Sequence, residues 1–256
     1  DGYGQINAER AFEQLLGFDL ENRPNLGGNL WGLDQIGVPE VWFSAGSFNG
    51  ETGEGVTVAV VDTGVDLDHP EFENRIVAGY DFVDNDHSPN DEHSHGTHVA
   101  GIIAGAMDGE GVTGVAFDAQ IMPIRVLDSQ GYGITENIIS GIRWAADNGA
   151  DVINLSLAGG PYNQAEFDAV EYATSLGSVV VMSSGNSGYS QPDYPAAYSS
   201  HYGLAVGAVD SNGNMSNFSN RAGHTTRDYV TSPGVDIYSS VLNGQYEFYS
   251  GTSMAS

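Results

Sequence analysis

The chain has 256 residues, 40% of them hydrophobic, which is enough for one large domain with a sizeable core. Its 34 acidic residues against 7 lysines and arginines give a formal net charge of -27, which disfavours nucleic acid and anionic membranes as partners. Cysteine is absent, which excludes thiolate catalysis, disulfide bonds and zinc–thiolate sites.

The first 30 residues differ in pattern from the rest. An amphipathic stretch at 8–16 is followed by a loop rich in Asn and Gly. We expect residues 1–30 to be an N-terminal extension, or the remnant of a propeptide or linker, and residues 31–256 to form the main domain. No apolar run in the sequence is long enough to span a bilayer.

From residue 31 onward, patterns typical of strands alternate with patterns typical of helices. The predicted strands are Val56–Val61, Ile121–Val126, Val152–Leu157, Val179–Met182 and Leu204–Val209, and the first is an apolar, β-branched run suited to a strand buried on both faces. Three helices are predicted. The first begins near His95, the second runs from an N-cap at Thr135 to Asn148, and the third covers Gln164–Leu176. This alternation predicts an α/β fold, a three-layer α/β/α domain with a mostly parallel central sheet.

Several polar residues stand at the ends of these elements, where sites form in parallel sheets. Asp62 ends the first strand, and a charge there is costly unless it has a partner. His95 opens the next helix, and His98 lies one turn deeper on the same face. Ser253 lies among small residues at a strand-to-helix junction. Taken singly, each has an ordinary interpretation. Asp62 fits a turn or a helix cap, His95 and His98 are weak evidence for a metal-binding pair, and Ser253 fits a common small-residue turn.

Taken together, Asp62, His95 and Ser253 are the residue types of a nucleophilic triad. A hydroxyl nucleophile needs an adjacent base, and that base needs a group that fixes its tautomer. The chain order Asp–His–Ser is one of the known orders of such triads. The surrounding segments resemble motifs of the subtilisin family of serine peptidases, namely Val60–Gly64, His95–Gly101 and Gly251–Ala255. The resemblance extends from about residue 31 to the last residue.

This resemblance implies a serine endopeptidase. Asp62 would orient His95, and His95 would take the proton of Ser253 and later deliver it to the leaving amine. Ser253 would attack the scissile carbonyl and form an acyl-enzyme. Asn186 and the backbone N–H of Ser253 would stabilise the developing oxyanion.

Two further segments resemble the family's edges that pair with an extended peptide substrate. Together with the wall of the pocket before the scissile bond, they give the expected substrate-binding residues Gly131, Tyr132, Gly133, Ser156, Leu157, Ala158, Gly159, Ser184 and Gly185. The wall that begins at Ser156 is one residue longer than the family pattern. No charge is visible in the walls, so we expect broad specificity favouring an apolar or aromatic side chain. Tyr194-Pro195 matches a turn whose peptide bond is commonly cis in the family.

The acidic residues raise the question of a metal. A run of charge is usually a solvated loop, and an excess of acid usually serves solubility. The run at 81–92, however, resembles the calcium loop of thermitase-like subtilases, and its hard oxygen donors suit calcium. The expected ligands are Asp81, Asp84, Asp86, Ser88 and Asn90, with a second family site at Glu71 and Asp108. The family commonly has Asp at the position of Glu71.

Two alternatives compete with the endopeptidase. A catalytically inactive subtilase-like module would bind peptides without cleaving them, and loss of a triad residue would favour it; none is lost. A calcium-dependent acidic structural domain would need tandem acidic repeats, which the sequence lacks.

For the endopeptidase we expect secretion, a monomeric state, protein or peptide substrates and a propeptide of its own as a further candidate partner. We expect neither nucleic acid nor a membrane as a partner. Because Ser253 lies three residues before the end, we also expect a domain truncated after its nucleophile, with little turnover until the following helix is restored.

Overall fold

Seven parallel strands form the central sheet of the protein. The computed structural model describes residues 4, 7–8, 26–43, 50–224 and 228–256. The strands are β1 (Thr57–Asp62), β2 (Tyr80–Asp81), β3 (Gln120–Arg125), β4 (Val152–Leu155), β5 (Val179–Ser183), β6 (Leu204–Val209) and β7 (Tyr229–Pro233). They lie in the order β2-β3-β1-β4-β5-β6-β7, and each neighbouring pair is parallel. A separate antiparallel hairpin consists of β8 (Ile237–Val241) and β9 (Gln245–Tyr249).

Helices cover both faces of this sheet. They are α1 (Trp31–Ile36), α2 (Val38–Trp42), α3 (His95–Ala104), α4 (Thr135–Asp147), α5 (Gln164–Ser175) and α6 (Thr252–Ala255). The buried residues of α4 and α5 share one apolar core with one face of the sheet, and those of α3 and α6 share a second core with the other face. The predicted three-layer α/β/α fold is therefore confirmed.

The sequence of β1 explains why the strand is buried on both sides. Successive side chains point to opposite faces of a sheet. Ala59 and Val61 join the core beneath α4 and α5, whereas Val58 and Val60 join the core beneath α3. An unbroken apolar run is what such a doubly covered strand requires.

β1 also positions the functional end of the sheet. It lies between β3 and β4, so the chain continues to one side of β1 first and to the other side later. Crevices form outside the carboxyl ends of strands at such a switch point. Asp62 is the last residue of β1 and is completely buried there.

The predicted strands and helices are present, with differences at their ends. β4 stops at Leu155, two residues earlier than expected, because Ser156 leaves the sheet to contact Ser253. The prediction that Thr135 caps α4 is wrong: Thr135 is the first helical residue, and the preceding Ile134 makes no side-chain capping hydrogen bond. β2, β7, β8, β9, α1 and α2 were not predicted.

The described residues near the N-terminus contact the rest of the fold. The backbone N–H groups of Leu26 and Gly27 each donate to a carboxylate oxygen of Asp34 in α1, at 2.7 Å. Ala8 and Leu30 pack against the apolar cluster of α1 and α2. The predicted amphipathic stretch at 8–16 lies outside the described residues except for Ala8, and the division at residue 30 stays a prediction. No helix in the described ranges is long and apolar enough to cross a membrane.

Candidate active site

Asp62 and His95 are joined by a short hydrogen bond. The Nδ1 atom of His95 lies 2.7 Å from Oδ1 of Asp62, and the same oxygen accepts a hydrogen bond from the backbone N–H of Thr63 at 2.7 Å. The Asp62 side chain is fully buried, whereas the His95 side chain is 22% exposed. The carboxylate therefore fixes one ring nitrogen as the proton donor and leaves Nε2 to face the cleft.

The start of α3 is held in place by Asp91. One carboxylate oxygen of Asp91 accepts from the backbone N–H groups of His93 and Ser94, at 2.8 and 3.0 Å. The other accepts from the backbone N–H and the hydroxyl of Thr97, at 3.0 and 2.6 Å. A carboxylate at this end satisfies N–H groups that have no partner within the helix. Asp91 therefore fixes the turn that carries His95.

Gly96 lets α3 approach β1 closely. Its backbone N–H donates to the hydroxyl of Thr63 at 2.9 Å. A Cβ atom at this position would collide with the carbonyl oxygen of Gly64 and lie 3.2 Å from the Cβ atom of Asp62. A residue larger than glycine would push His95 away from Asp62.

The charge of Asp62 changes the protonation of His95. Burial lowers the pKa of His95, but the charge and hydrogen bond of Asp62, helped by the charge of Asp91, raise it more. The net pKa lies above the usual value because an adjacent carboxylate favours the imidazolium.

Ser253 lies in the first turn of α6, at the end of the cleft. Its Oγ atom donates to the carbonyl oxygen of Ser156 at 3.0 Å, and its side chain is nearly buried. Among the described residues, Oγ makes no hydrogen bond to His95. Ser156 and His95 both line one cleft, so the carbonyl that holds Oγ and the imidazole belong to the same cleft wall. Hydrogen bonds between catalytic groups are often long or absent before substrate binds.

The amide of Asn186 has a defined orientation. Its Oδ1 atom accepts from the backbone N–H of Thr252 at 2.9 Å and from the Thr252 hydroxyl at 3.0 Å. That hydroxyl itself accepts from the N–H of Gly185 at 3.1 Å, so its own proton points to Asn186. Because Oδ1 must be the acceptor, the NH₂ group of Asn186 points the other way. Asn186 is exposed, and within the described part of the chain its hydrogen bonds are those of Oδ1, so Nδ2 is available to a ligand.

His95 and Ser156 line a cleft with a volume of about 620 Å³, whereas Ser253 and Asn186 are not among its lining residues. It is lined by most of the predicted substrate-binding residues: Gly131, Tyr132, Gly133, Ser156, Leu157, Ala158 and Gly159. Ser184 and Gly185 are not among its lining residues: the Ser184 hydroxyl donates to the carbonyl of Asn220, and the N–H of Gly185 donates to the hydroxyl of Thr252. The Tyr194-Pro195 bond is cis, as expected.

His98 lies inside the domain. Its Nε2 atom donates to the carbonyl oxygens of Ile237 and Glu247, at 3.1 and 3.2 Å, and its ring stacks on Tyr249 with centroids 4.3 Å apart. Burial lowers the pKa of His98 to about 4. This histidine is therefore neutral and links α3 to the β8–β9 hairpin.

Comparison with known proteins gives a consistent family. The family model described as the subtilase family matches residues 53–256. The chain belongs to the subtilase family. It is 42% identical to thermitase of Thermoactinomyces vulgaris over 91% of this chain and 80% of thermitase. It is 45% identical to a thermophilic serine proteinase of Bacillus sp. (strain AK1), over 79% of this chain and 49% of that protein. The crystal structure of a cold-adapted subtilisin-like serine proteinase has a TM-score of 0.75 and 39% identity, over 88% of this chain and 80% of the other. The subtilase is thus a subtilisin-like serine endopeptidase.

In this subtilase, an arginine from a neighbouring strand contacts the loop that was predicted to bind calcium. Nη1 of Arg125, at the end of β3, lies 2.8 Å from carboxylate oxygens of both Asp81 and Asp84. Nη2 lies 2.7 Å from Glu92. The second oxygen of Asp81 accepts two backbone N–H groups of its own loop. The guanidinium therefore neutralises carboxylates that calcium was expected to share.

The remaining expected ligands, Asp86, Ser88 and Asn90, accept hydrogen bonds from backbone N–H groups, that of Leu67 donating to Oδ1 of Asn90 at 3.2 Å. Asp86 accepts from the N–H of Ser88 at 2.7 Å, and the Ser88 carbonyl accepts from the N–H of Asn90 at 2.7 Å. Three donors are too few for an ion that takes six to eight oxygen ligands. In the described ranges, no group of three or more Asp, Glu or His side chains is arranged to hold a metal ion. The side chains of this loop, as arranged, do not form a calcium site. Calcium binding by the protein stays a prediction.

The second expected calcium site is closed by protein donors. Glu71 is buried, and its carboxylate accepts from the N–H groups of Ala106 and Val112, at 2.6 and 2.9 Å, and from the hydroxyl of Tyr246 at 2.7 Å. Asp108 accepts a hydrogen bond within its own loop. The longer Glu side chain thus ties this loop to the domain directly.

Sequence reasoning missed three residues that shape the site. Asp91 and Thr252 each stand near a motif residue, but their contacts join positions that only the folded chain brings together. Glu166 is a buried carboxylate that lines the cleft. Its one visible signal was an acidic residue in the predicted helix at a position with apolar neighbours.

Replacing Asp62 by Asn should lower the pKa of His95, because burial of the ring then acts with less opposition. We expect this shift in an NMR titration of the His95 ring, recorded in a Ser253→Ala background to prevent self-digestion. The exposed Glu110→Gln serves as a control that leaves the pKa of His95 unchanged. An unchanged pKa in Asp62→Asn would mean that the 2.7 Å contact does not couple the two groups.

Proposed function

We propose that this subtilase hydrolyses internal peptide bonds of proteins through an acyl-enzyme on Ser253. The observation that carries the proposal is the 2.7 Å contact between buried Asp62 and Nδ1 of His95. His95 lines a cleft, and Ser253 donates a hydrogen bond to the carbonyl of Ser156, which lines the same cleft. That contact prepares Nε2 of His95 as a base on the cleft side. A base with a fixed tautomer is what a serine hydroxyl needs to become a nucleophile.

The proposed reaction has two stages, formation and hydrolysis of the acyl-enzyme. In each stage His95 first takes a proton and then returns one. Nε2 of His95 takes the proton of Ser253 as Oγ bonds to the scissile carbonyl carbon. The negative charge on the carbonyl oxygen accepts hydrogen bonds from Nδ2 of Asn186 and from the backbone N–H of Ser253. His95 then protonates the leaving amine, and the C–N bond breaks. A water molecule then attacks the acyl carbon while His95 takes one of its protons. The bond between the acyl carbon and Oγ breaks, His95 returns the proton to Oγ of Ser253, and the acid product leaves.

The backbone N–H of Ser253, the second proposed donor to the oxyanion, lies in the first turn of α6. The backbone N–H groups at the start of a helix have no acceptor within that helix. Ser253 is the second residue of α6, and Gly251 before it has extended backbone. The nucleophile and the oxyanion donor would therefore come from one residue, and Asn186 would supply the other donor.

The proposed substrate is an extended peptide held between the segments at 131–133 and 156–159. Backbone pairing there would bind many sequences, and side-chain pockets would give preference. For the residue just before the scissile bond, the walls are Ser156–Gly159 and Ser183–Asn186, which contain no charged side chain. We propose that this pocket favours apolar or aromatic side chains.

A fluorophosphonate probe tests the nucleophile. Ser253 should be labelled in the parent chain and in Ser250→Ala, whose hydroxyl lies outside the site, but Ser253→Ala should not be labelled. Cleavage of a peptide library should then show apolar or aromatic residues before the cut. Peptide binding without labelling would instead support an inactive peptide-binding module, and a profile dominated by Lys or Arg at that position would contradict the proposed pocket.

The remaining proposals concern the setting of the enzyme. We propose a secreted monomer that acts on protein or peptide substrates and is also bound by its own propeptide. Residues 31–256 are proposed as the peptidase domain, with residues 1–30 as an extension or a remnant of a propeptide or linker. A strongly acidic surface keeps such an enzyme soluble and disfavours anionic partners.

A structural calcium ion is proposed from the family resemblance, not from the arrangement of the described residues. Binding to the folded state alone raises stability, by about 2.7 kcal/mol at a calcium concentration 100-fold above Kd. We therefore expect the Tm of the Ser253→Ala chain to be higher in calcium than in chelator at equal ionic strength, and less so in Asp86→Asn. An equal Tm in both would assign neutralisation of the loop to Arg125 without calcium.

A further inference from the structure

A second carboxylate, that of Glu166, lies in the wall of the substrate cleft. Glu166 is in the first turn of α5, and its residue surface is only 5% exposed. It lines the same cleft as Leu157 and Gly133. No lysine or arginine is among the described residues that line this cleft, so the carboxylate has no cationic partner there.

Among the described residues, one oxygen of this carboxylate has a hydrogen-bond partner and the other has none. Oε2 of Glu166 accepts from the hydroxyl of Tyr198 at 2.9 Å. Oε1 has no hydrogen-bond partner among the described residues, and it is not sealed from solvent. Burial raises the pKa of Glu166, and the Tyr198 hydrogen bond opposes this shift only in part. A buried carboxylate of this kind is costly unless a partner compensates it.

Packing around Tyr198 gives no structural reason for a charge. The Tyr198 ring lies in an aromatic group with Tyr162, Phe167 and Tyr194. Its hydroxyl also lies within hydrogen-bond distance of backbone atoms of Asn163, at 3.0 and 3.1 Å. A Gln at position 166 has an amide oxygen that can also accept from Tyr198, so this bond does not require a charge. The charge at Glu166 is therefore free to serve something that enters the cleft.

The position of Glu166 indicates which part of a substrate it would meet. The cleft is lined by the segments at 131–133 and 156–159, but not by the second wall of the pocket before the scissile bond, 183–186. A peptide held between the two segments would place a side chain further upstream against Leu157, Ile138 and Glu166. The apolar neighbours suit the stem of a long side chain, and Oε1 suits its polar end.

We propose that Glu166 selects substrates with a lysine or arginine side chain on the acyl side of the scissile bond, upstream of the residue that precedes it. This inference rests on the proposed peptidase function and names the substrate class of that site. The side chain would donate a charge-assisted hydrogen bond to Oε1 in a site with little water. Removing one such bond to a charged group changes binding by about 10-fold or more.

The test compares peptides that differ at one upstream position, Lys or Arg against norleucine. Each acyl-side position is varied in turn, and the ratio of kcat/KM is measured for the parent, Glu166→Gln and Glu171→Gln. Glu171 is a matched control, since it lies on the same helix and accepts from a tyrosine hydroxyl, Tyr202 at 2.6 Å, but it is exposed and outside the cleft. We expect one position where the parent prefers the basic side chain about 10-fold or more. Glu166→Gln should lose that preference, and Glu171→Gln should keep it.

A binding measurement separates this inference from the proposed chemistry. The same peptides are titrated against Ser253→Ala with and without Glu166→Gln, with melting curves to show that both chains are folded. A preference for basic peptides that disappears with Glu166→Gln supports the inference even if the parent chain neither hydrolyses peptides nor is labelled by the probe. Equal preference in both chains overturns it. So does a preference removed by 0.5 M salt and equally weakened in Glu171→Gln, which would belong to the overall charge.

Discussion

The buried carboxylate of Asp62 is the constraint on which the site depends. It ends β1, an interior strand of the sheet, with no exposed surface, where an unpaired charge would be strongly unfavourable. Its Oδ1 atom bonds to the N–H of Thr63 and to His95, and its Oδ2 atom has no partner among the described residues. The carboxylate is therefore stable mainly because α3 brings an imidazole to it. The close approach of Gly96 to Gly64 follows from the same requirement.

The atoms with proposed chemical roles are held by contacts from other parts of the chain. Asp91 fixes the first turn of α3, and Thr252 fixes the amide of Asn186. Ser156 holds the hydroxyl of Ser253. Each support is a polar contact within a largely buried region, where hydrogen bonds are stronger and more directional than in water. Such supports give the site its geometry before substrate arrives.

The sequence predicted the buried strands well, because an unbroken β-branched run such as that of β1 has one main explanation. It did not predict β9, which has no buried residue and which, among the described residues, pairs with β8 alone. The three triad residues were predicted from sequence motifs. Such motifs identify the residues, but they do not show which atoms are in contact in the folded chain. The calcium loop shows the limit: its oxygen atoms can be counted along the sequence, but Arg125 reaches them from another strand. Glu166 is similar, since its burial depends on Tyr198 and the cleft.

The buried carboxylate of Asp62 is stabilised by its contact with His95. A double-mutant cycle on the free energy of unfolding tests this most directly. Asp62→Asn, His95→Gln and the double variant are compared in a Ser253→Ala background by urea unfolding at pH 5 and pH 9. Because the pKa of His95 is raised in the folded state, the interaction stabilises fully below the unfolded value of about 6.5 and is lost as pH rises through the folded value. We predict a favourable coupling on the order of 1–3 kcal/mol at pH 5 that is smaller at pH 9. Zero coupling at both values would contradict the account.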